Sequence, residues 1–382
     1  PFLEAIRQFA VEVGRENCLF IHVTLVPYLA ASDELKSKPT QHSVKEMLSI
    51  GISPDIIVCR TEHPLTDDIK NKIALFCNVD KECVIENNNC DILYAVPMML
   101  KEQRMDDVVI KKLGIGERDL SDWEHMLEAL RNPKQTVKIA MVGKYVELHD
   151  SYISVNEALK HGGIETRSAI DIDWIDSETL EGDVNLDEIL GDVDGILVPG
   201  GFGSRGIEGK INACQYARTH GIPYLGICLG MQIAIIEFAR HVLGMNDANS
   251  AEINPETPYP VIDILPEQKE VTDMGGTMRL GQYPCTLNPE SKSYELYGAS
   301  MIYERHRHRY EVNNDYRNDL LSGGMIFAGT SPDNHIVEMV EIPEHPWFVA
   351  CQFHPEFKSR PNRPHPLFLG FLRAALSRGG KE

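Results

Sequence analysis

Three segments of the chain share one pattern: a short apolar run, then a glycine-rich turn, then residues at helical spacing. They are VKIAMVGKY (137–145), GILVPGGFG (195–203) and IPYLGICLG (222–230). Apolar runs that alternate with helices are typical of parallel strands buried between two layers of helices. From about residue 261 onward the pattern favours hairpin-like strands instead. The second part of the chain is therefore predicted to have an α/β fold.

The first part shows a similar alternation. Residues 2–15 have the spacing of an amphipathic helix, and residues 18–26 have the composition of a buried strand. Further helices and strands alternate to about residue 85, and charged helical pieces then lead into a linker near Pro133. A chain of 382 residues is long enough for two or three domains. We predict an incomplete first domain over 1–120, a linker over 121–136 and a second domain over 137–382.

Charge and cysteine usage exclude several classes of function. The net charge of -20 argues against nucleic acid or an anionic membrane as the main partner. The nine cysteines include no C-x-x-C pair, which argues against a zinc site, a redox motif or a disulfide framework. No apolar run reaches the roughly 18 residues of a membrane span. We expect a cytoplasmic protein.

Cys228 lies between two glycines where a predicted strand passes into a predicted helix. Gly226 and Gly230 would permit a tight, strained turn that presents the thiol above the sheet. The start of the helix would favour the reactive thiolate. The pentapeptide alone fits a buried structural cysteine equally well.

Two further segments favour catalysis. His354 and Glu356 lie two residues apart after a predicted strand, so both would face the same side of an extended chain, and the carboxylate could orient the histidine. Pro199, Gly200 and Gly201 offer backbone amides to an oxyanion. A lone histidine is more often a core residue, and a lone glycine loop is usually a turn. The combination with Cys228 indicates a nucleophilic site.

The order PGGFG, GICLGMQ, HPE resembles the class I glutamine amidotransferases over residues 137–378. The resemblance implies a mixed central sheet and a catalytic triad of Cys228, His354 and Glu356 that hydrolyses glutamine. It also implies a set of oxyanion and glutamine contacts: Gly201, Leu229, Gln232, Glu252 and Arg309. Arg309 belongs to a basic run that otherwise fits a plain surface patch.

Segments spread over nearly the whole chain resemble one family of such enzymes, the CTP synthases: KSKPTQ (36–41), GGTMRLG (275–281) and ERHRHRYEVN (304–313) are among them. The resemblance implies ATP-dependent amination of UTP to CTP with ammonia from glutamine, GTP as activator and CTP as inhibitor. KSKPTQ alone, a proline-stiffened turn, fits a solvated basic loop better. The resemblance also implies three sets of nucleotide contacts. Those for UTP and CTP are Lys36, Lys38, Thr40, Gln41 and Lys72. Cys90 would lie in the ATP adenine region, and Phe202 and Arg279 would belong to the lid and GTP site.

The chain departs from the family pattern at its start. The family's glycine-rich phosphate loop and its acidic magnesium ligands would lie before Pro1, so we expect an N-terminal part that is missing here, and no metal ligand within this sequence. Asn89 stands where the family usually has aspartate, and we expect an omitted loop near 266–275. The resemblance further implies Mg²⁺ bound with ATP, and a homotetramer that is compatible with filaments.

Two alternatives stay open at this point. The chain could be the glutaminase of another synthetase, such as one that makes GMP or anthranilate. It could also be a truncated chain with glutaminase activity alone, in which the first domain serves assembly.

Overall fold

The computed structural model describes residues 1–117, 119–264 and 278–380. These residues form two compact units, Pro1–Leu127 and a second that begins at Glu128. The predicted linker over 121–136 contains a helix and the start of a strand, and the predicted domain limits stay a prediction. The expected omission near 266–275 lies outside the described residues.

The first unit alternates helices and strands as the sequence predicts. Its helices are α1 (Phe2–Val13), α2 (Lys38–Ser49), α3 (Asp67–Cys77), α4 (Val96–Glu102), α5 (Met105–Leu113) and α6 (Ser121–Arg131, which runs past the unit's limit). Its strands are β1 (Ile21–Leu25), β2 (Tyr28–Leu29), β3 (Glu34–Leu35), β4 (Ile56–Arg60) and β5 (Val84–Asn87).

Three parallel strands form the sheet of this unit, in the order β1-β4-β5. The central strand is buried on both faces, because Ile57 packs into one apolar cluster and Ile56 into another. The prediction that the first strand is buried is wrong for one face. Val23 and Leu25 of β1 are 64% and 60% exposed, since β1 is an edge strand that turns only its other face toward α2.

The second unit is larger. Its helices are α7 (Ile153–Glu165), α8 (Leu186–Leu190), α9 (Ile207–His220), α10 (Leu229–His241), α11 (Lys292–Tyr297), α12 (Arg317–Ser322) and α13 (Pro366–Arg378). Its strands are β6 (Gln135–Gly143), β7 (Ser168–Asp176), β8 (Gly195–Val198), β9 (Tyr224–Ile227), β10 (Asn249–Ser250), β11 (Pro260–Asp263), β12 (Arg279–Leu287), β13 (Met301–His308), β14 (Glu311–Val312), β15 (Ile326–Thr330), β16 (Val337–Glu341) and β17 (Phe348–Cys351).

Nine of these strands form one sheet, in the order β13-β12-β15-β16-β17-β9-β8-β6-β7. The strands from β17 to β7 are parallel, and those from β13 to β17 are antiparallel. Helices α9 and α10 share an apolar core with one face of the sheet, and α7 and α13 share a core with the other. The predicted mixed sheet and α/β fold are confirmed.

The topology brings three loops together at one edge of this sheet. Strand β9 lies between β8 and β17, and all three run in the same direction. Their carboxyl ends therefore meet at the same edge, which is where open α/β sheets place their sites. The loop after β8 is PGGFG, β9 leads into Cys228, and β17 leads toward His354.

The sequence analysis assigns no strand to residues 168–176, where β7 lies. Strand β13 contains most of the basic run, and its side chains alternate between exposed and buried. His306 and His308 are each 2% exposed, so the interpretation of this run as a surface patch is wrong for them.

In the part of the chain that the structure describes, no helix has both the length and the apolar character of a membrane span.

Candidate active site

Cys228 is held in a strained turn between β9 and α10. Its φ of 52° and ψ of −99° are unusual for a residue with a side chain. The flanking glycines are required by close contacts, because a Cβ at Gly226 would lie 2.6 Å from the Gly230 carbonyl oxygen. A Cβ at Gly230 would lie 2.1 Å from the carbonyl oxygen of Val198. The predicted sharp turn is confirmed, and Cys228 is 3% exposed.

His354 and Glu356 are hydrogen-bonded as predicted, but not because both lie on an extended strand. Nδ1 of His354 and Oε1 of Glu356 are 2.8 Å apart. Strand β17 ends at Cys351, and Glu356 lies in a short 3₁₀ turn, Pro355–Lys358. This turn brings the carboxylate back toward the ring.

The environment of His354 favours its charged form. Burial alone would lower the pKa of His354, but interactions with Cys228 and Glu356 outweigh burial and raise that pKa to about 10. Because Nδ1 is bonded to Glu356, the buried Nε2 is the nitrogen left for the Cys228 thiol. Nε2 has no conventional hydrogen bond among the described residues. The carboxylate thus holds one nitrogen of the imidazole and leaves the other available to the thiol.

The glycine-rich turn after β8 lies beside Cys228 and His354. A Cβ at Gly200 would come within 2.8 Å of Cε1 of His354 and within 3.5 Å of Cβ of Cys228. A Cβ at Gly201 would lie 3.4 Å from Cδ2 of Leu229, the first residue of α10. The two residues predicted to supply oxyanion amides therefore lie next to each other.

A cavity of about 90 Å³ lies on one side of Cys228, and it collects the predicted glutamine contacts. Burial raises the pKa of Glu252, while a hydrogen bond from the backbone N–H of Gly203 and the charge of Arg309 act in the opposite direction. A half-buried acid and a nearby guanidinium in one small cavity suit a ligand with both an ammonium and a carboxylate group. Residues that line this cavity include Gly201, Leu229, Gln232, Glu252, His308 and Arg309.

A larger cleft of about 520 Å³ shares Cys228, Gly201 and Phe202 with this cavity, and His354 and Glu356 also line it. Its wall combines exposed aromatic rings with cations. Nζ of Lys144 lies 5.0 Å from the ring centre of Tyr145. The guanidinium of Arg307 lies 5.9 Å from the ring centre of Phe202. Phe202 and Tyr145 are 50% and 49% exposed. This surface suits an anionic ligand that carries an aromatic base.

Arg279 is not among the residues that line this cleft, and its place in the lid and GTP site stays a prediction. It begins β12, and its Nη2 pairs with Oε1 of Glu338 at 2.6 Å, both side chains being buried. Burial raises the pKa of Glu338 to about 7, although Arg279 acts to lower it. The preceding residues 275–277 of the predicted lid lie outside the described residues.

Beside this ion pair, His306 and His308 form a buried pair that the sequence analysis missed. Nδ1 of His308 faces the carbonyl oxygen of Tyr310 at 3.3 Å, so this nitrogen carries the hydrogen. Nε2 of His308 then accepts from Nδ1 of His306 at 2.8 Å. Burial, with the nearby charge of Arg279 acting in the same sense, lowers the pKa of His306 to about 2 and that of His308 to about 3. Both rings are therefore neutral at pH 7. The period-2 alternation along β13 is the signal that could have found them.

His306, His308 and Glu338 are also the one group of three possible metal ligands in the described residues. Imidazole nitrogens are not the oxygen ligands that Mg²⁺ prefers. Glu338 is already paired with Arg279, and one nitrogen of each ring is used in the bond between the two histidines. This group does not fit the magnesium ion that the family resemblance implies.

The predicted nucleotide contacts of the first unit lie at the start of α2, with one on α3. Pro39 is in the first turn of α2, so KSKPTQ begins a helix and is not the predicted proline-stiffened turn. Thr40 is buried and accepts a hydrogen bond from Thr24, and Gln41 donates to Ser37. Their contacts with UTP and CTP stay a prediction. Lys36 pairs with Glu34. Lys38 on α2 and Lys72 on α3 are exposed, and Cys90 is partly exposed after β5.

Comparison with known proteins finds a matching family for each of the two parts of the chain. Residues 147–374 match the family model described as glutamine amidotransferase class-I, and residues 1–115 match that described as CTP synthase N-terminus. The CTP synthase of Clostridium perfringens (strain SM101 / Type A) is 60% identical over 379 residues, which cover 99% of this chain and 71% of that protein. The CTP synthase of Moorella thermoacetica is 59% identical over 383 residues, with 100% and 71% covered.

A solved structure of the Trypanosoma brucei CTPS glutaminase domain with bound acivicin is 43% identical, with a TM-score of 0.60. The match covers 63% of this chain and 94% of that one. Both parts of the chain match one family, which disfavours the glutaminase of another synthetase. The chain therefore belongs to the CTP synthase family, ligases that aminate UTP to CTP in an ATP-dependent reaction with ammonia from glutamine.

Proposed function

We propose that Cys228, His354 and Glu356 hydrolyse glutamine in this protein. The observation that carries the proposal is the arrangement at the carboxyl ends of β9 and β17, in which a strained cysteine faces a histidine held by a carboxylate. The arrangement has the three parts of a nucleophilic site: nucleophile, base and orienting group.

In the proposed reaction, the thiol proton of Cys228 passes to Nε2 of His354, a state that the raised pKa of His354 favours, and the sulfur then attacks the carboxamide carbon of glutamine. The backbone N–H groups of Gly201 and Leu229 stabilise the oxyanion that forms. His354 then gives its proton to the leaving nitrogen, and the C–N bond breaks to release ammonia. Water, deprotonated by the same histidine, attacks the thioester, so that glutamate leaves and the Cys228 thiol is restored.

The cavity beside Cys228 supplies the substrate contacts of this proposal. Glu252 would bind the α-ammonium group of glutamine and Arg309 its α-carboxylate. These contacts lie at the far end of the substrate from the reacting amide, so their role is chiefly to bind and orient.

The released ammonia would serve the synthetase reaction, in which ATP activates the carbonyl at position four of the uracil ring and ammonia displaces the activated oxygen. Keeping ammonia away from water would preserve its unprotonated, nucleophilic form. Lys36, Lys38 and Lys72 are the exposed or half-exposed cations that support a UTP or CTP site in the first unit. Mg²⁺ bound with ATP, a homotetramer and a cytoplasmic location complete the proposal.

The larger cleft, which Cys228, His354 and Glu356 also line, is proposed as the site of the activator GTP. Lys144 and Arg307 would contact its phosphates, and the exposed rings of Tyr145 and Phe202 would stack on its base. Arg307→Met should therefore weaken activation by GTP.

The test of the proposed glutaminase is Cys228→Ala. Release of glutamate from glutamine should disappear, while ammonium chloride should still support CTP formation by the complete enzyme, since free ammonia bypasses hydrolysis. Cys214→Ala is the matched control, because Cys214 is also buried in this unit but lies on α9 away from the site. Glutamine hydrolysis that survives in Cys228→Ala would overturn the assignment.

A further inference from the structure

Gln352 is a fully buried polar residue whose side-chain amide contacts the nucleophile. Its Nε2 lies 3.6 Å from Sγ of Cys228, within the range of an N–H···S hydrogen bond. Its Oε1 lies 3.4 Å from Nε2 of Gln232. Both ends of the buried amide are therefore satisfied, one of them by the reacting sulfur.

The position of Gln352 follows from the register of two parallel strands. Cys351 on β17 pairs with Ile227 on β9, so the next residue of each strand, Gln352 and Cys228, lies opposite the other. The backbone N–H of Gln352 donates to the carbonyl oxygen of Glu338 at 2.8 Å, which fixes it from the other side. The contact between amide and sulfur is thus built into the sheet.

Hydrogen-bond chemistry decides which end of the amide faces the sulfur. The Nε2 of Gln232 faces the carbonyl oxygen of Tyr310 at 3.3 Å, and a carbonyl oxygen only accepts, so this end of Gln232 must be its NH₂ group. The same NH₂ group faces Gln352, whose facing atom must then be the oxygen. The NH₂ group of Gln352 is left to point at Cys228.

We propose that Gln352 is a further catalytic residue, whose amide N–H donates to the Cys228 sulfur and stabilises the thiolate. This inference rests on the proposed role of Cys228 as nucleophile. A neutral thiol is a weak acceptor, whereas hydrogen bonds to charged groups are about twice as strong as neutral ones. The Gln352 bond therefore strengthens as the thiol proton passes to His354, and it replaces water that the buried sulfur has lost.

The test measures the charge state of Cys228 and the reaction together. The rate of alkylation of Cys228 by iodoacetamide is followed against pH by mass spectrometry of its peptide, which separates it from the other cysteines. In Gln352→Leu the pH midpoint of alkylation should rise by about one unit, and kcat/KM for glutamine hydrolysis should fall about tenfold. An unchanged midpoint in a folded Gln352→Leu protein would overturn the proposal.

Gln352→Glu keeps the size of the side chain but replaces a donor with an acceptor that carries charge. If Gln352→Leu fails to fold, this second variant decides: the midpoint should rise by more than one unit, and a midpoint equal to that of the wild type would overturn the proposal. A structural role alone would lower activity without moving the midpoint. If Cys228→Ala still hydrolyses glutamine, the proposed function fails; if Cys228 is essential but the midpoint does not move, only the role of Gln352 fails.

Discussion

The backbone N–H of Cys228 donates a 2.7 Å hydrogen bond to the carbonyl oxygen of Cys351. This bond extends the pairing of β9 with β17 beyond its last strand residue, Ile227. It ties the nucleophile to the strand that leads, three residues later, to His354. The distance between nucleophile and base is therefore set by sheet geometry, which is more rigid than a loop–loop contact.

The His354–Glu356 pair should control the pH dependence of hydrolysis. The pKa of His354 is raised above its ordinary value, so the stabilisation of its charged form is fully present below about pH 6.5 and is lost as pH rises through about 10. Glu356→Gln keeps the shape but removes the negative charge, so the pKa of His354 should fall. We expect kcat for glutamine hydrolysis to drop by at least about tenfold. A pH–rate profile that is the same in Glu356→Gln and the wild type would contradict this role of the pair.

Arg309 should affect substrate binding more than chemistry. Loss of a charge-assisted hydrogen bond costs about 1.5–3 kcal/mol, so Arg309→Met should raise KM for glutamine roughly 10- to 100-fold with a smaller change in kcat. Arg305→Met is the matched control, because Arg305 lies on β13, which ends at His308 just before Arg309, and its side chain is exposed. Equal effects of the two variants in steady-state glutaminase assays would argue against a substrate contact by Arg309.

The buried Arg279–Glu338 pair should be a stabilising feature of the fold. Arg279→Met leaves Glu338 buried without its partner, which costs about 3–5 kcal/mol when the carboxylate is charged. Because the pKa of Glu338 is already raised to about 7 and would rise further without Arg279, protonation should relieve this cost as pH falls. Thermal unfolding should show a large destabilisation at pH 8 and a smaller one at pH 5.5.

The double variant Arg279→Met/Glu338→Met serves as the control for this pair. Removing both partners should restore much of the stability that Arg279→Met loses. A double variant that is no more stable than Arg279→Met would show that the two side chains do not stabilise each other.

Lys210 should make the second unit more stable at alkaline pH. Its buried ammonium donates to Oγ of Ser177 and to the carbonyl oxygens of Arg205 and Gly206, at the end of the glycine-rich loop. Burial lowers the pKa of Lys210 to about 8, so between about pH 8 and 10.5 the unfolded chain binds more protons than the folded one. The free energy of unfolding should therefore rise over this window.

The measurement is the difference in unfolding midpoint between wild type and Lys210→Met as pH is raised. As pH rises from 8 to 10.5, the unfolding midpoint of the wild type should rise relative to that of Lys210→Met. Lys160→Met, which removes an exposed lysine, should show no such shift. If the unfolding midpoints of wild type and Lys210→Met change with pH in parallel, the idea that Lys210 loses its proton in this range is refuted.

The amino-acid sequence determined the main features of this protein because they depend on local pattern. Apolar runs followed by glycine turns predicted β8 and β9, and the order of the three motifs predicted that Cys228, His354 and Glu356 come together. The family resemblance implied the glutamine contacts, and Glu252 and Arg309 line one cavity beside Cys228.

Only the tertiary structure decided which side chains meet across strands. Register placed Gln352 against Cys228, and alternation along β13 buried His306 and His308 within a run that reads as exposed and basic. Long-range packing also paired Arg279 with Glu338 and Thr40 with Thr24. Such outcomes depend on the long-range pairing of strands and helices, which fixes each side chain's neighbours and solvent exposure, and no local pattern encodes that pairing.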